Sequence, residues 1–370
     1  MKIKYRVSIP AIGKYEKKCV NQALNKNEIS GFFGSFIEKF ENQFSKFCNT
    51  KYSLTVNSGT TAIHLALLAN NIQKGDEVIV STLTNMATVF AILYIGAIPI
   101  PIDIEKDTFN INTSLIEEKI NKKTKAILIV HLFGHPVEMS KIIKIKKKYN
   151  LKLIEDCAEA HGATYFNKKV GSFGDAGCFS FYANKIITTG EGGIVTFNSK
   201  KIYQKAKNLK ELAFGKKEKF LHEDIGYNYR MTNLQAALGF AQMKKINNFI
   251  KKKILIAKWY NKYLGSEKII KPLTKKNCKN VYWMYCIRVK KFNKNKRKKL
   301  MNRLLKKGIE TREMFVPCNM QKAFKKFSLF NKSLCPLSNK VAYDSFYLPS
   351  GYELKEMDVK KISETLEKEL

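Results

Sequence analysis

The chain has 370 residues, 45% of them hydrophobic and 12% aromatic, so it can bury a large core and disorder is excluded as the default. The 67 basic residues outnumber the 31 acidic ones for a formal net charge of +36. The lysines lie spread along the chain at helical spacing, as between Lys141 and Lys152, without an arginine-rich arm, zinc-finger spacing or RNP-like aromatic motif. That distribution reads as a solvated surface and argues against a nucleic-acid footprint.

The eight cysteines form no C-x-x-C pair, and Cys157 and Cys178 sit in apolar contexts, which fits reduced thiols in an intracellular protein. The opening stretch MKIKYRVSIPAIGKYEKK lacks the apolar run of a signal peptide, and no segment has the length of a transmembrane helix. The expectation is a soluble, cytoplasmic protein with neither a membrane nor a nucleic-acid partner.

From about residue 50 the pattern alternates strand and helix. YSLTVNSGTTAIHLALLANNI reads as strand, tight loop and helix; DEVIVST and IPIPIDI read as short buried strands. MATVFAILYIGA between them is a helix closing on Gly96. KAILIVHLFG is a strand, VEMSKIIKIKKKYN a helix with one apolar face, and LKLIEDCAEAHG the next strand and its exit. AGCFSFYA and GGIVTF are strands flanking the turn that holds Lys185. Such alternation predicts an α/β domain with a mostly parallel, helix-covered sheet. A lysine-rich helix over about 243–265 then leads to the strand-like VYWMYCIRVK and a helix closing on Gly308, a smaller α+β unit. The expected division is 1–245 and 246–370, with the N-terminal segment able to pack on the smaller unit.

In open parallel sheets, ligands bind beyond the carboxyl ends of the strands, and three marked segments fall there. NSGTTA, Asn57 to Ala62, is either a phosphate-binding loop at a helix N-terminus or an ordinary capped helix. Asp156 ends a buried strand with Glu159 three residues on. A carboxylate there demands a cation or several donors, and otherwise caps the following turn. In SFYANKIITTGEGG, Ser180 to Gly193, Lys185 is boxed by aromatic and small residues. A desolvated lysine has a depressed pKa and attacks carbonyl carbons, whereas a lone lysine more often snorkels to solvent. Gly190, Gly192 and Gly193 allow a tight turn that brings the backbone close to a ligand.

Taken together, the order of these segments and the wording EDCAEAHGA…VGSFGDAGCFSFYANKIITTGEGG, followed by GYNYRMTNLQAALG, resemble the DegT/DnrJ/EryC1/StrS family of sugar aminotransferases, most of all its perosamine-synthase-like members. The resemblance runs from about residue 8 to the C-terminus. It implies a fold-type I enzyme dependent on pyridoxal 5'-phosphate. By the family pattern Lys185 carries the cofactor and Asp156 meets its ring nitrogen. Glu159 lies on the 3-hydroxyl side, and Ser180 with the amides of Gly59 and Thr60 holds the phosphate. Asn228 in GYNYRMTN matches an asparagine that reaches a neighbouring subunit's phosphate, which implies a homodimer with Tyr227, Tyr229 and Arg230 near the interface. For the tyrosines, plain packing is the simpler reading.

The family pattern also implies an amino-acid donor, typically L-glutamate, and a nucleotide-linked keto sugar as acceptor, in glycan or surface-polysaccharide biosynthesis. Two positions depart from it: Asn85 stands where many relatives place a ring-stacking aromatic, and Asn319 where relatives often have histidine. With Arg230 these are the expected substrate-side residues, and they leave a smaller phosphorylated ketone as the alternative acceptor. A sugar dehydratase would carry histidine in place of Lys185. A basic nucleic-acid-binding or regulatory protein on the same scaffold would not need the set of Asp156, Ser180 and Lys185.

Overall fold

The computed structural model describes residues 3–215, 217–325, 331 and 334–370. Two N-terminal helices, α1 (Lys14–Asn25) and α2 (Ser35–Cys48), precede strand β1 (Tyr52–Val56). Then come α3 (Gly59–Ala69), β2 (Glu77–Ser81), α4 (Met86–Tyr94), β3 (Ile98–Ile102), β4 (Thr124–Val130), α5 (Met139–Lys148) and β5 (Lys152–Asp156). A short hairpin of β6 (Thr164–Tyr165) and β7 (Lys168–Lys169) leads to β8 (Ala176–Ser180), β9 (Gly193–Phe197), α6 (Lys200–Lys210) and α7 (Asn233–Met243).

The central seven-stranded sheet has the order β1-β9-β8-β5-β4-β2-β3. Its strands β8, β5, β4, β2 and β3 pair in parallel, while β9 runs antiparallel to both β8 and β1. Leu153, Ile154, Ile127 and Leu128 are completely buried because helices cover both faces, which is why these strands read as unbroken apolar runs. Polar caps start the helices. Ser58 accepts from the Thr61 amide at the head of α3, Asn85 from Ala87 at α4, and Thr232 from Gln235 at α7. Gly96 closes α4 at φ +78°, a backbone angle that only glycine adopts without strain.

The rest of the chain runs through α8 (Ile246–Tyr263), β10 (Ile269–Ile270), β11 (Cys278–Lys279), β12 (Tyr285–Val289), α9 (Lys294–Lys306), β13 (Arg312–Glu313), α10 (Pro336–Asp344), β14 (Ser345–Leu348) and α11 (Glu356–Lys368). A second sheet has the order β10-β12-β14-β13, and β11 crosses back to pair with β6. Tyr5 joins Ile256, Tyr260, Phe346 and Ile362 in a separate apolar cluster, and its strand-like bridge to Ile309 ties the N-terminus to this second sheet. By contrast Cys286 and Tyr347, opposite each other on β12 and β14, belong to the main core, so the face of the second sheet carrying them turns toward the first. Among the described residues no helix is long and apolar enough to cross a membrane, and all eight cysteines are free.

Candidate active site

A cavity of about 450 Å³ opens between the two sheets. One wall is built entirely from segments that leave the carboxyl ends of parallel strands. Ser58, Gly59 and Thr60 follow β1; Thr84, Asn85 and Ala87 follow β2; Val130 ends β4; Asp156, Ala158 and Glu159 end or follow β5; and Ser180, Tyr182, Asn184 and Lys185 end or follow β8. Trp283, Arg312, Phe315 and Tyr347 form the opposite wall.

Lys185 is not on β8, which ends at Ser180. It sits in the turn before β9, its amide bonded to the Tyr182 carbonyl at 2.9 Å. Its side chain is 11% exposed; Nζ lies 4.0 Å from Glu159 Oε1 and 4.0 Å from the centre of the Trp283 ring. Burial pushes this amine below the usual lysine range, against the pull of Glu159 and Asp156. The same burial pushes the Glu159 carboxyl up to about 7, although Lys185 and the Phe133 amide at 2.8 Å favour its anion.

Asp156 is 5% exposed, and desolvation raises its pKa. Two donors reach it: the Thr88 hydroxyl at 2.8 Å and the Ala158 amide at 3.0 Å. It therefore does cap the turn after β5, but two donors leave a buried carboxylate with accepting capacity toward the cavity.

The α3 terminus is a capped helix whose first residues also line the cavity. Ser58 caps the helix through Thr61, while the amides of Gly59 and Thr60, in a first turn that offers no intrahelical acceptor, belong to cavity-lining residues. A Cβ on Gly59 would stand 2.7 Å from Ser180 Cβ and 3.1 Å from Ser180 Oγ. Only glycine lets this terminus abut Ser180, and together they make a cradle of donors suited to a phosphate. The glycines after Lys185 do build a tight turn, and two of them are also required by contacts within the chain. A Cβ on Gly193 would meet the Ser58 carbonyl oxygen at 2.4 Å, and one on Gly192 would meet Thr189 Oγ1 at 2.3 Å. Gly193 thus packs against the head of α3, and Gly192 folds against the turn itself.

Asn85 lines the cavity and caps α4 through the Ala87 amide at 3.0 Å. The remaining sequence-derived residues lie outside this cavity. Asn319 is 3% exposed, accepts from the Thr82 hydroxyl at 3.0 Å and donates to Asn339 Oδ1 at 3.1 Å and the Asn331 carbonyl at 3.3 Å. Its amide is spent on holding the chain after β13 against the end of β2. Asn228 is exposed, its carbonyl accepting from Asn57 at 3.4 Å. Tyr227 and Tyr229 stack on each other with centroids 5.0 Å apart, and Tyr229 hydrogen-bonds His64 at 3.0 Å. Arg230 lies over Phe32 at 4.1 Å, with Nη1 buried and without a hydrogen-bond partner among the described residues.

Sequence reasoning missed Thr88 and the whole second wall. Trp283 is one of two tryptophans and Arg312 one of only six arginines in a lysine-biased chain. An arginine kept where lysine is otherwise the habitual cation marks a place for its planar, forked donors.

A buried amine of depressed basicity, a strand-end carboxylate open toward it and a helix terminus abutting a serine fit what a transaminase dependent on pyridoxal 5'-phosphate requires. The family model of the DegT/DnrJ/EryC1/StrS aminotransferase family matches residues 10–367, and the chain belongs to that family. It is 42% identical to the GDP-perosamine synthase of Escherichia coli O157:H7 over 96% of both chains. With the GDP-perosamine synthase of Caulobacter vibrioides it shares 35% identity over 98% of both. Among solved structures it resembles Helicobacter pylori PseC, an aminotransferase involved in the biosynthesis of pseudoaminic acid, with a TM-score of 0.92, 30% identity and coverage of 99% and 98%.

Proposed function

We propose that this enzyme transfers an amino group from an amino acid, L-glutamate by preference, to a keto sugar carried on a nucleoside diphosphate, in the making of a surface glycan. The observation that carries the reading is Lys185: buried, low in basicity, and placed between Asp156 and the second wall. The names of these relatives support the acceptor class. So does the second wall, where Arg312 offers a guanidinium to a diphosphate and Trp283, Phe315 and Tyr347 offer apolar faces to a deoxysugar.

When bound, pyridoxal phosphate supplies a carbonyl carbon that takes an amine and a ring that spreads the negative charge left by deprotonation beside that amine. Gly59, Thr60 and Ser180 would hold its phosphate, and Asp156 its protonated ring nitrogen. Glu159 stands beside the reactive amine with a proton available near neutral pH. Burial lowers the basicity of Lys185, which favours its neutral amine, the form that takes and returns the proton of the amino-group shift. The Trp283 ring and Glu159 both stand 4.0 Å from this amine.

We also propose that two copies share their sites, Asn228 of each reaching the other's phosphate cradle. Its exposure away from its own cavity supports this, as do the exposed Phe33 and the exposed Phe32 that lies beside the incompletely paired Arg230.

The test is an amino-transfer assay with L-glutamate and GDP-, UDP- and dTDP-linked 4-keto sugars set against small phosphoketones. Turnover of a nucleotide sugar that Lys185→Ala abolishes is the expected result; turnover of phosphoketones alone would overturn the acceptor. Mixing Lys185→Ala with Asn228→Ala subunits should restore part of the activity, since one site of each mixed dimer is free of both lesions. No recovery after demonstrated subunit exchange would overturn the shared site.

A further inference from the structure

Lys253, on α8, is 6% exposed and is surrounded by the apolar residues of that helix, among them Phe249, Ile256 and Ala257. Among the described residues no carboxylate lies within ion-pair distance of it. Its Nζ instead donates to two main-chain oxygens, Ser350 at 2.6 Å and Trp283 at 3.0 Å. A buried ammonium without a counter-ion costs several kcal/mol unless its protons are met, so an apolar side chain would serve packing better. Two carbonyls converging on this one cation give it a task.

That task runs through Trp283, which three elements tether. Its amide donates to the Phe133 carbonyl at 3.0 Å, its indole N–H to the Asn184 carbonyl at 2.8 Å, and its carbonyl accepts from Lys253. The ring so held is the surface on which Lys185 Nζ rests, 4.0 Å from its centre. Phe133, whose carbonyl anchors Trp283, also donates its amide to Glu159, on the other side of the same amine. Lys253 and Lys185 line a common small cavity with Thr188, Gln242 and Tyr352. The ionisable groups acting on this pair are Glu159 and Asp156 toward Lys185, and Glu353 toward Lys253.

We propose that Lys253 is a positioning residue for Lys185: its ammonium group fixes the Trp283 main chain, and through it the indole face against which the reactive amine is held. Burial lowers the basicity of Lys253 to about 8, against the pull of Glu353, as expected of a cation in a dry setting. The inference rests on Lys185 being the reactive amine and is independent of which acceptor the enzyme uses.

The experiment measures Lys185 in the cofactor-free chain by competitive labelling with acetic anhydride across pH, read by mass spectrometry of the Lys185 peptide. In Lys253→Met the indole loosens, water enters, and the labelling midpoint of Lys185 rises by about one pH unit. Trp283→Ala alone should produce a rise of the same size. Adding Lys253→Met to Trp283→Ala should then produce no further shift, because the relay is already cut. Lys253→Gln, which keeps a donor of shorter reach, gives a smaller rise and serves if the methionine variant does not fold. An unchanged midpoint in Lys253→Met or Lys253→Gln would reduce Lys253 to a structural role. A shift that persists in the Trp283→Ala background would make it a through-space charge effect. Either result overturns the proposal, whatever the outcome of the amino-transfer assay.

Discussion

Two carboxylates stand side by side at the end of β5, and the pleat sends them to opposite faces of the sheet. Glu155 is completely buried and saturated. Its oxygens accept from the amides of Gly171, Phe173 and Gly174 at 2.7–2.8 Å and from His131 Nε2 at 3.1 Å. The Val137 amide donates to His131 Nδ1, so Nε2 carries the proton that points at Glu155. Cys157 brings a third ligand-type atom within 4.8 Å of the other two, but an oxygen pair that already takes four donors is a framework joint. Asp156, one residue on, has two donors and faces the cavity. Burial and charge alone do not separate the two residues; the number of donors met within the chain does. A saturated carboxylate holds the fold, and an unsaturated one waits for a ligand.

The sharpest way to break this contrast is to make the same chemical change on both faces. Asp156→Asn should lower turnover by about 10²–10³-fold, as loss of one preorganised charge does. It should leave the thermal stability of the cofactor-free protein unchanged or slightly higher, because a buried charge is removed, the Ala158 amide keeps an acceptor on Oδ1, and the Thr88 hydroxyl can turn to accept from the new amide N–H. Glu155→Gln should do the reverse. Its amide group turns N–H toward donors, at least one main-chain amide loses its acceptor, and stability falls by about 3 kcal/mol. Turnover per folded molecule changes little. Melting curves and steady-state rates on the same preparations decide it, and a stability loss in Asp156→Asn as large as in Glu155→Gln would erase the distinction.

A smaller effect follows from thinning the donor set of Asp156. Thr88→Val keeps the shape of the side chain and deletes the hydroxyl that donates at 2.8 Å. A hydrogen bond to a charged group contributes about 1.5–3 kcal/mol, so the anion of Asp156 weakens and kcat should fall roughly 10-fold, with KM for the amino donor near its wild-type value. No change in kcat would mean that Thr88 only packs α4 against β5.

The smallest effect concerns Glu159, intermediate between its two neighbours with one main-chain donor and one cation 4.0 Å away. Its pKa in the folded chain, about 7, lies above its ordinary value of 4.5. Its contribution to stability is therefore fully present at pH values below that ordinary value and is lost as pH rises through about 7. Glu159→Gln in the cofactor-free protein should flatten this part of the stability curve. Melting temperatures measured across that range should converge at low pH and diverge at high pH, with the variant the more stable; parallel curves would show that Glu159 is ionised throughout.

Much of the first wall was legible in the sequence because each of its residues lies within a few positions of a strand's carboxyl end. Apolar runs of five to seven residues, broken by Gly, Ser, Asn and Asp, announce buried parallel strands and their exits, and local spacing then carries Gly59, Asp156, Glu159, Ser180 and Lys185 to one rim. Caps such as Ser58 and Asn85 are equally local, set by a side chain and an amide two or three residues on. What only the tertiary structure decided is which distant segments complete these groups. Trp283, Arg312 and Tyr347 come to the cavity from three strands or strand margins of another sheet, Thr88 reaches Asp156 across 68 positions, and Asn319 is drawn away from the site into a buried amide network. The antiparallel course of β9, which seats the Lys185 turn on the head of α3, likewise depends on pairings with β1 and β8 on either side of it. Local propensity acts over a few residues; whether a buried polar group is saturated or left open depends on long-range packing, and that difference separates Glu155 from Asp156.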